Sequence, residues 1–217
     1  MANASTVGFG LRTTMVVGNT PATSGQSEYK IKSGLGVGIF KNNPVSLQDG
    51  SGDQGYLQDA SFATTDDGGN GGATYDNTGH APLIGSFNGC FFVNSTTKKP
   101  TFANSVAAST TFGTDYNTGS NDGIGFVNDN PQQEYVIKAD AAVTQAMIGD
   151  AGYNTNSFTA GNAKDGQSTV TLDIGGGAAT THMFKLVRSA DDPENNDLTA
   201  VGANVIVSIA QASNLYN

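Results

Sequence analysis

Apolar and polar side chains alternate along several short stretches of this chain, and a period of two is typical of β-strands with one buried face. In NVIVSIA, for example, the alternation places Val205, Val207 and Ile209 on one face and Ile206 on the other. Glycines and Asn-Pro or Asp-Pro pairs separate the stretches, which predicts tight turns between the strands. The clearest alternating stretches are 28–32, 134–138, 169–174 and 204–210.

The stretch 123–140, GIGFVNDNPQQEYVIKAD, predicts a strand, a turn and a second strand. Pro131 fixes its own φ and disfavours helix for the residue before it, so the turn falls between the two apolar runs. On the second strand, Tyr135 and Ile137 share one face, whereas the other face is mixed and carries both Glu134 and Lys138. A mixed face predicts that this strand lies near a sheet edge or at a protein contact.

The most apolar stretch is PLIGSFNGCFFV at 82–93, which we place in the core as two short strands bent at Gly85 or Gly89. The glycine-rich stretch 66–79 predicts an exposed, mobile loop. Residues 94–120 predict a loop with one weak strand near 110–112, and residues 144–149 predict a single helical turn.

Together these patterns predict an all-β protein with one or two small barrel or sandwich lobes of jelly-roll type, long glycine-rich loops and little helix. We expect residues 27–217 to form the β-rich domain, either as one lobe or as two lobes that divide near 94–122. The chain is long enough to bury a core of its own without cross-links.

The first 26 residues carry scattered apolar side chains that follow neither a helical nor a strand period. Two structures explain this pattern equally well. One is an extended N-terminal arm over residues 1–26 that lies on a neighbouring subunit, and the other is an ordinary first strand of the domain. If the segment is an arm, its expected interface residues are Phe9, Leu11, Arg12, Met15 and Val17.

Composition narrows the possible partners. The net charge of −9 and the scarcity of Lys and Arg argue against nucleic-acid binding, since no basic stripe is present to neutralise phosphates. No stretch approaches the 18 or so apolar residues of a membrane span, and the start lacks the basic region of a signal peptide. The single cysteine, Cys90, excludes an intramolecular disulfide, and its apolar surroundings predict a buried, inert thiol.

The residues that could carry chemistry are isolated along the sequence. His80 and His182 have no further His or Cys at a zinc-ligand spacing, and the acidic loop 49–53 lacks the calcium-binding Glu because Ala60 occupies that position. Adjacent carboxylates such as Asp66 and Asp67 lie in turns, where solvation is expected. No phosphate-binding loop or nucleophile elbow is present. We therefore expect no enzyme activity, no metal and no cofactor.

The order of several short motifs resembles that of the capsid decoration, or cement, proteins of tailed bacteriophages, a family common among marine phages. The opening, MANA followed by GFGLR, is similar to the family's small-residue start and Phe-Gly-aromatic-Arg signature, with Leu11 replacing the aromatic residue. The family's Arg and paired Asn-His near the C-terminus are absent. The other similar stretches are 25–34, 39–47, 83–92, 129–140 and 204–214.

The resemblance implies a structural virion protein that binds the outer capsid surface and bridges neighbouring major capsid protein subunits. It implies synthesis in the host cytoplasm, no nucleic-acid or membrane partner, and a homo-oligomer, for which we favour a trimer because capsid lattices offer threefold sites. The alternative is a tail-fibre or carbohydrate- or receptor-binding β module, although the chain has no Trp to form a sugar platform.

Overall fold

The computed structural model describes residues 3–18, 20–21, 25–48, 53–60, 83–116, 118–157, 159–176, 183–210 and 214–216. Over these ranges the protein is all-β, as the alternating pattern predicts. The helical element there is a single 3-10 turn at Gln145–Met147, which confirms the predicted turn at 144–149. The predicted loop at 66–79 lies outside the described residues.

The first large sheet, sheet I, contains seven strands, each antiparallel to its neighbours. Numbered in chain order, they are β1 (Arg12–Val16), β2 (Thr20–Pro21), β11 (Gln133–Lys138), β12 (Ala151–Thr155), β15 (Leu172–Asp173), β16 (Phe184–Ser189) and β17 (Asn204–Ile209). Their order across the sheet is β15-β12-β16-β17-β11-β1-β2.

The second large sheet, sheet II, is also antiparallel and contains six strands: β3 (Ser27–Ile31), β5 (Pro44–Leu47), β6 (Leu57–Asp59), β7 (Leu83–Val93), β8 (Pro100–Ala103) and β10 (Gly123–Asn128). Its order is β3-β10-β7-β5-β6, with β8 paired to the C-terminal half of β7. Two small sheets pair β4 (Ile39–Phe40) with β9 (Ser105–Val106), and β13 (Gly161–Asn162) with β14 (Gln167–Ser168).

Each large sheet buries its own hydrophobic cluster. Beneath sheet I, Val205, Val207 and Ile209 pack together with Tyr135 and Ile137, so the predicted buried faces of β17 and β11 are confirmed. The cluster beneath sheet II contains Ile31, Val45, Ile84, Phe87 and Val127. The arrangement is that of an all-β sandwich, and neither sheet closes into a barrel among the described strands.

The prediction that the second strand of the 123–140 stretch lies near an edge is wrong. This strand, β11, lies inside sheet I between β17 and β1. Its charged side chains are tolerated there because both have partners. Glu134 accepts two hydrogen bonds from the Arg188 guanidinium (3.1 and 2.7 Å), and Lys138 is covered by the N-terminal segment.

The apolar stretch at 83–93 forms one strand rather than two, and the predicted bends appear as irregularities within it. Gly85 and Gly89 have positive φ values of 155° and 122°. At Gly85 a β-carbon would lie 1.9 Å from the carbonyl oxygen of Asn128, so only glycine allows the two backbones to approach this closely.

The prediction of a loop over 94–120 is wrong for the residues of β8 and β9. Both strands are too short to show a period of two, and each forms through tertiary pairing with a distant or preceding strand. The weak strand expected near 110–112 is reduced to a bridge between Phe112 and Asn94.

Replacing Gly85 with alanine is expected to lower the free energy of unfolding by roughly 3 kcal/mol, since the new methyl group meets backbone that must move. Gly34→Ala is the matched control, because Gly34 also has a positive φ, 81°, but nothing lies within 4 Å of its β-carbon position. That substitution should cost about 1 kcal/mol. Urea unfolding measures both, and equal losses would contradict the steric explanation.

Candidate functional site

The N-terminal residues 3–11 run in an extended path over the surface of their own chain, and we call this segment the arm. Backbone hydrogen bonds hold it at three points: Ala4 N–H to the Glu194 carbonyl (3.2 Å), Gly10 N–H to Val170 (3.0 Å) and Leu11 N–H to Asn42 (2.8 Å). The side chain of Asn3 adds three bonds to carbonyls in the 197–201 turn. The arm is therefore docked within the molecule.

The glycines of the GFGLR motif allow this close docking. A β-carbon on Gly8 would lie 2.2 Å from the carbonyl oxygen of Thr169 and 2.5 Å from that of Val170. Any larger residue would push the arm away from the 168–170 segment.

Lys138 of β11 holds the centre of the arm. Its ammonium group donates to the carbonyl oxygens of Ser5 (2.9 Å) and Gly202 (3.0 Å) and to Oδ1 of Asn195 (3.4 Å). The residue is only 2% exposed, and burial lowers the pKa of the lysine, an effect that the negative charge of Asp192 opposes. Three oxygens thus replace the water that a buried cation loses.

The aromatic ring of Phe9 lies close to two cations. The guanidinium carbon of Arg12 is 4.5 Å from the ring centroid, and the Lys138 Nζ is 5.9 Å from it. Both distances are within the range of a cation–π interaction. Phe9 therefore adds a contact of its own to the docking of the arm.

The five residues expected at an interface have different environments. Leu11 is fully buried in the cluster beneath sheet I, and Phe9 is half-buried in the contact just described. Arg12 begins β1, so the segment that follows the arm is an ordinary strand of the chain's own sheet. Met15 and Val17 are exposed, by 37% and 55%. Val7, which the sequence did not single out, is 67% exposed on the arm itself.

A second apolar surface lies on the outer face of sheet II. Phe102 of β8 is 75% exposed, and its ring lies 4.8 Å from that of Phe91 on β7. Ile124 and Phe126 of β10 are half-buried, and Ile124 is paired directly with Phe91. We call Phe91, Phe102, Ile124 and Phe126 the aromatic face. Phe102 has no predicted role in the sequence, because the pattern of residues 94–120 predicts a loop where β8 forms.

Groups that could carry chemistry are few in the described part of the chain. No cluster of three His, Cys, Asp or Glu side chains that could hold a metal occurs there, and His80 and His182 lie outside it. Cys90 is 2% exposed and donates to the carbonyl oxygen of Ala103, and burial raises the pKa of its thiol to about 12.

Comparisons with protein families, with characterised proteins and with solved structures find no match to this chain. Among the described residues, no helix is long and apolar enough to cross a membrane.

Cys90 is expected to react with a thiol reagent at pH 8 only after unfolding. A pKa of about 12 instead of 9.0 leaves the folded protein with a thiolate fraction roughly a thousandfold smaller.

The same difference between the folded and unfolded pKa of Cys90 makes the free energy of unfolding depend on pH. The unfolded thiol ionises above pH 9 while the folded one keeps its proton, so the contribution of Cys90 to stability is lost as the pH rises from 9 towards 12.

The reaction with Ellman's reagent, with and without 8 M urea, measures the reactivity of the thiol directly. Urea unfolding of the wild type and Cys90→Ala between pH 8 and 10.5 measures the pH dependence of stability, and the wild type should lose stability faster as the pH rises. A thiol that reacts equally fast in the folded protein would contradict the burial of Cys90.

Proposed function

We propose that this chain is a structural protein of a phage virion, which binds the outer surface of the capsid and bridges neighbouring major capsid protein subunits. The observation that carries the proposal is the docked arm. It contains the first four residues of the GFGLR motif, on which the resemblance to decoration proteins begins, and it presents Val7 outward while its backbone is fixed.

The fixed backbone suits a protein that binds a lattice. Val7, Met15 and Val17 are exposed apolar side chains on the arm and on the edge hairpin that follows it. Because the arm and hairpin are already hydrogen-bonded to the fold, covering these side chains costs little additional chain entropy. Covering the part of one such side chain that is still exposed contributes roughly 1 kcal/mol.

Contacts of this size give weak binding to one capsid subunit and strong binding to several at once. A bridging protein gains its affinity when two or more contacts are made simultaneously, since the second contact forms at a high effective concentration. Binding only to the assembled form also stabilises that form by mass action. A homotrimer at a threefold site of the lattice makes such contacts in equivalent sets, and we propose that oligomer.

The proposal predicts that a charge on this surface weakens capsid binding without unfolding the protein. Val7→Asp and Val17→Asp should each lower the affinity for expanded capsids by about tenfold or more, because a desolvated carboxylate replaces an apolar contact. Tyr116→Asp is the matched control, since Tyr116 is 83% exposed in the loop before β10.

Co-sedimentation with expanded capsids and with dissociated capsid protein measures the binding, and thermal unfolding checks each variant's fold. The proposal fails if the wild type binds dissociated subunits as tightly as capsids. It also fails if both valine variants bind capsids like the control.

A further inference from the structure

The aromatic face continues onto a strand edge that has no partner among the described strands. Strand β8 pairs only with β7 there, in the register Phe92 with Thr101 and Phe91 with Phe102. At the start of this ladder the Asn94 N–H donates to the Lys99 carbonyl (3.0 Å), which makes that pair a hydrogen-bonded one.

Hydrogen-bonded and non-hydrogen-bonded pairs alternate along an antiparallel ladder. Counting from Asn94 and Lys99, the pair of Phe91 and Phe102 is therefore non-hydrogen-bonded. The N–H and C=O of Phe102 then point away from β7, towards the open edge. Such an edge can accept an extended chain as a further strand.

A pocket of about 300 Å³ lies beside this edge. The residues that line it are Phe102 and Phe126, the polar Asn88 and Asn104, and the small or buried Gly89, Cys90 and Ala103. The volume is at the lower limit for a small-molecule site, and it suits one large apolar side chain. The pocket and the free edge thus lie where a single extended segment would meet both.

The charged residues near the edge of β8 indicate which kind of segment it binds. Although the whole chain has a net charge of −9, two of its ten basic residues, Lys98 and Lys99, stand exposed immediately before β8. A third, Lys30, is exposed on β3 in the same cross-strand row as Ile124 and Phe91. Carboxylate residues stand at the pocket end of this surface, where Glu28 of β3 pairs with Phe126 and the Asp165 carbonyl accepts a hydrogen bond from the Asn104 side chain. The lysines therefore favour acidic residues at the other end of a bound segment, beside Lys98 and Lys99, where an exposed charge acts over about 8 Å.

We propose that the edge of β8 and the pocket beside it bind an extended, acidic segment of a partner protein. The segment adds to sheet II as a strand through the N–H and C=O of Phe102, places one apolar side chain between Phe102 and Phe126, and sets its carboxylates against Lys98 and Lys99. This proposal is independent of the capsid proposal, since it rests on a different surface and names no capsid contact.

The test begins with selection of binders from a random dodecapeptide display library on the wild-type protein, with depletion on Phe102→Asp. The enriched peptides should share an apolar residue flanked by Asp or Glu. Fluorescence anisotropy with the most enriched peptide, synthesised and labelled, then gives affinities for three variants.

Phe102→Ala should weaken binding about tenfold or more, because an aromatic anchor is lost. Lys98→Glu combined with Lys99→Glu should weaken binding by a similar factor at low salt and by less at 0.5 M salt. Tyr116→Ala, which removes another exposed aromatic ring, should bind like the wild type. All four side chains are exposed, so the variants are expected to fold.

Three outcomes overturn the proposal. The selection enriches no common pattern, the enriched peptides carry no acidic residues, or Phe102→Ala binds them as well as the wild type does. Sedimentation of the unliganded protein adds a fourth, since self-association that Phe102→Ala abolishes would assign the edge to a second copy of the chain instead.

Discussion

One buried ammonium group, Lys138 Nζ, connects parts of the chain that are far apart in the sequence. It binds Ser5 near the N-terminus and both Asn195 and Gly202 in the loop before β17. An isolated buried cation is costly, and its three oxygen partners offset that cost. The partners come from the arm and from the loop. If either one detaches, the ammonium group loses hydrogen bonds and its burial destabilises the folded protein. The ammonium group therefore makes the arm part of the folded core.

The same contact allows β11 to lie inside sheet I. The face of β11 that carries Glu134 and Lys138 would be unfavourable inside a sheet if its charges were unpaired. Arg188 covers one end of that face and the arm covers the other. With both charges satisfied, β11 can occupy the middle of sheet I, where its opposite face contributes Tyr135 and Ile137 to the core. The arm also remains fixed, so its outward side chains keep one orientation for a partner.

The fold class and the main strands follow from the sequence because their patterns are local. NVIVSIA, QEYVIK and SEYKI alternate over enough residues to define a buried face, and each forms a strand. The position of β11 within the sheet did not follow. Its mixed face predicts a sheet edge or a protein contact, and the pattern does not contain the long-range pairing that places the chain's own arm over Lys138. Strand β8 was missed for the same reason, since PTFA is ordered by β7 and has no period of its own.

Hydrogen exchange of the arm in Lys138→Met tests most directly whether this ammonium group holds it. Methionine keeps much of the volume but leaves the Ser5 and Gly202 carbonyl oxygens without the lysine donor, while Asn195 Oδ1 keeps its bond from the Ser5 N–H (3.1 Å). The amides of Ala4, Ser5 and Gly10 should therefore exchange at least about tenfold faster than in the wild type. The exposed Lys185 of β16 provides the control, and Lys185→Met should leave those amides unchanged. If the arm amides of Lys138→Met exchange at the wild-type rate, the arm is held by other contacts and the account is wrong.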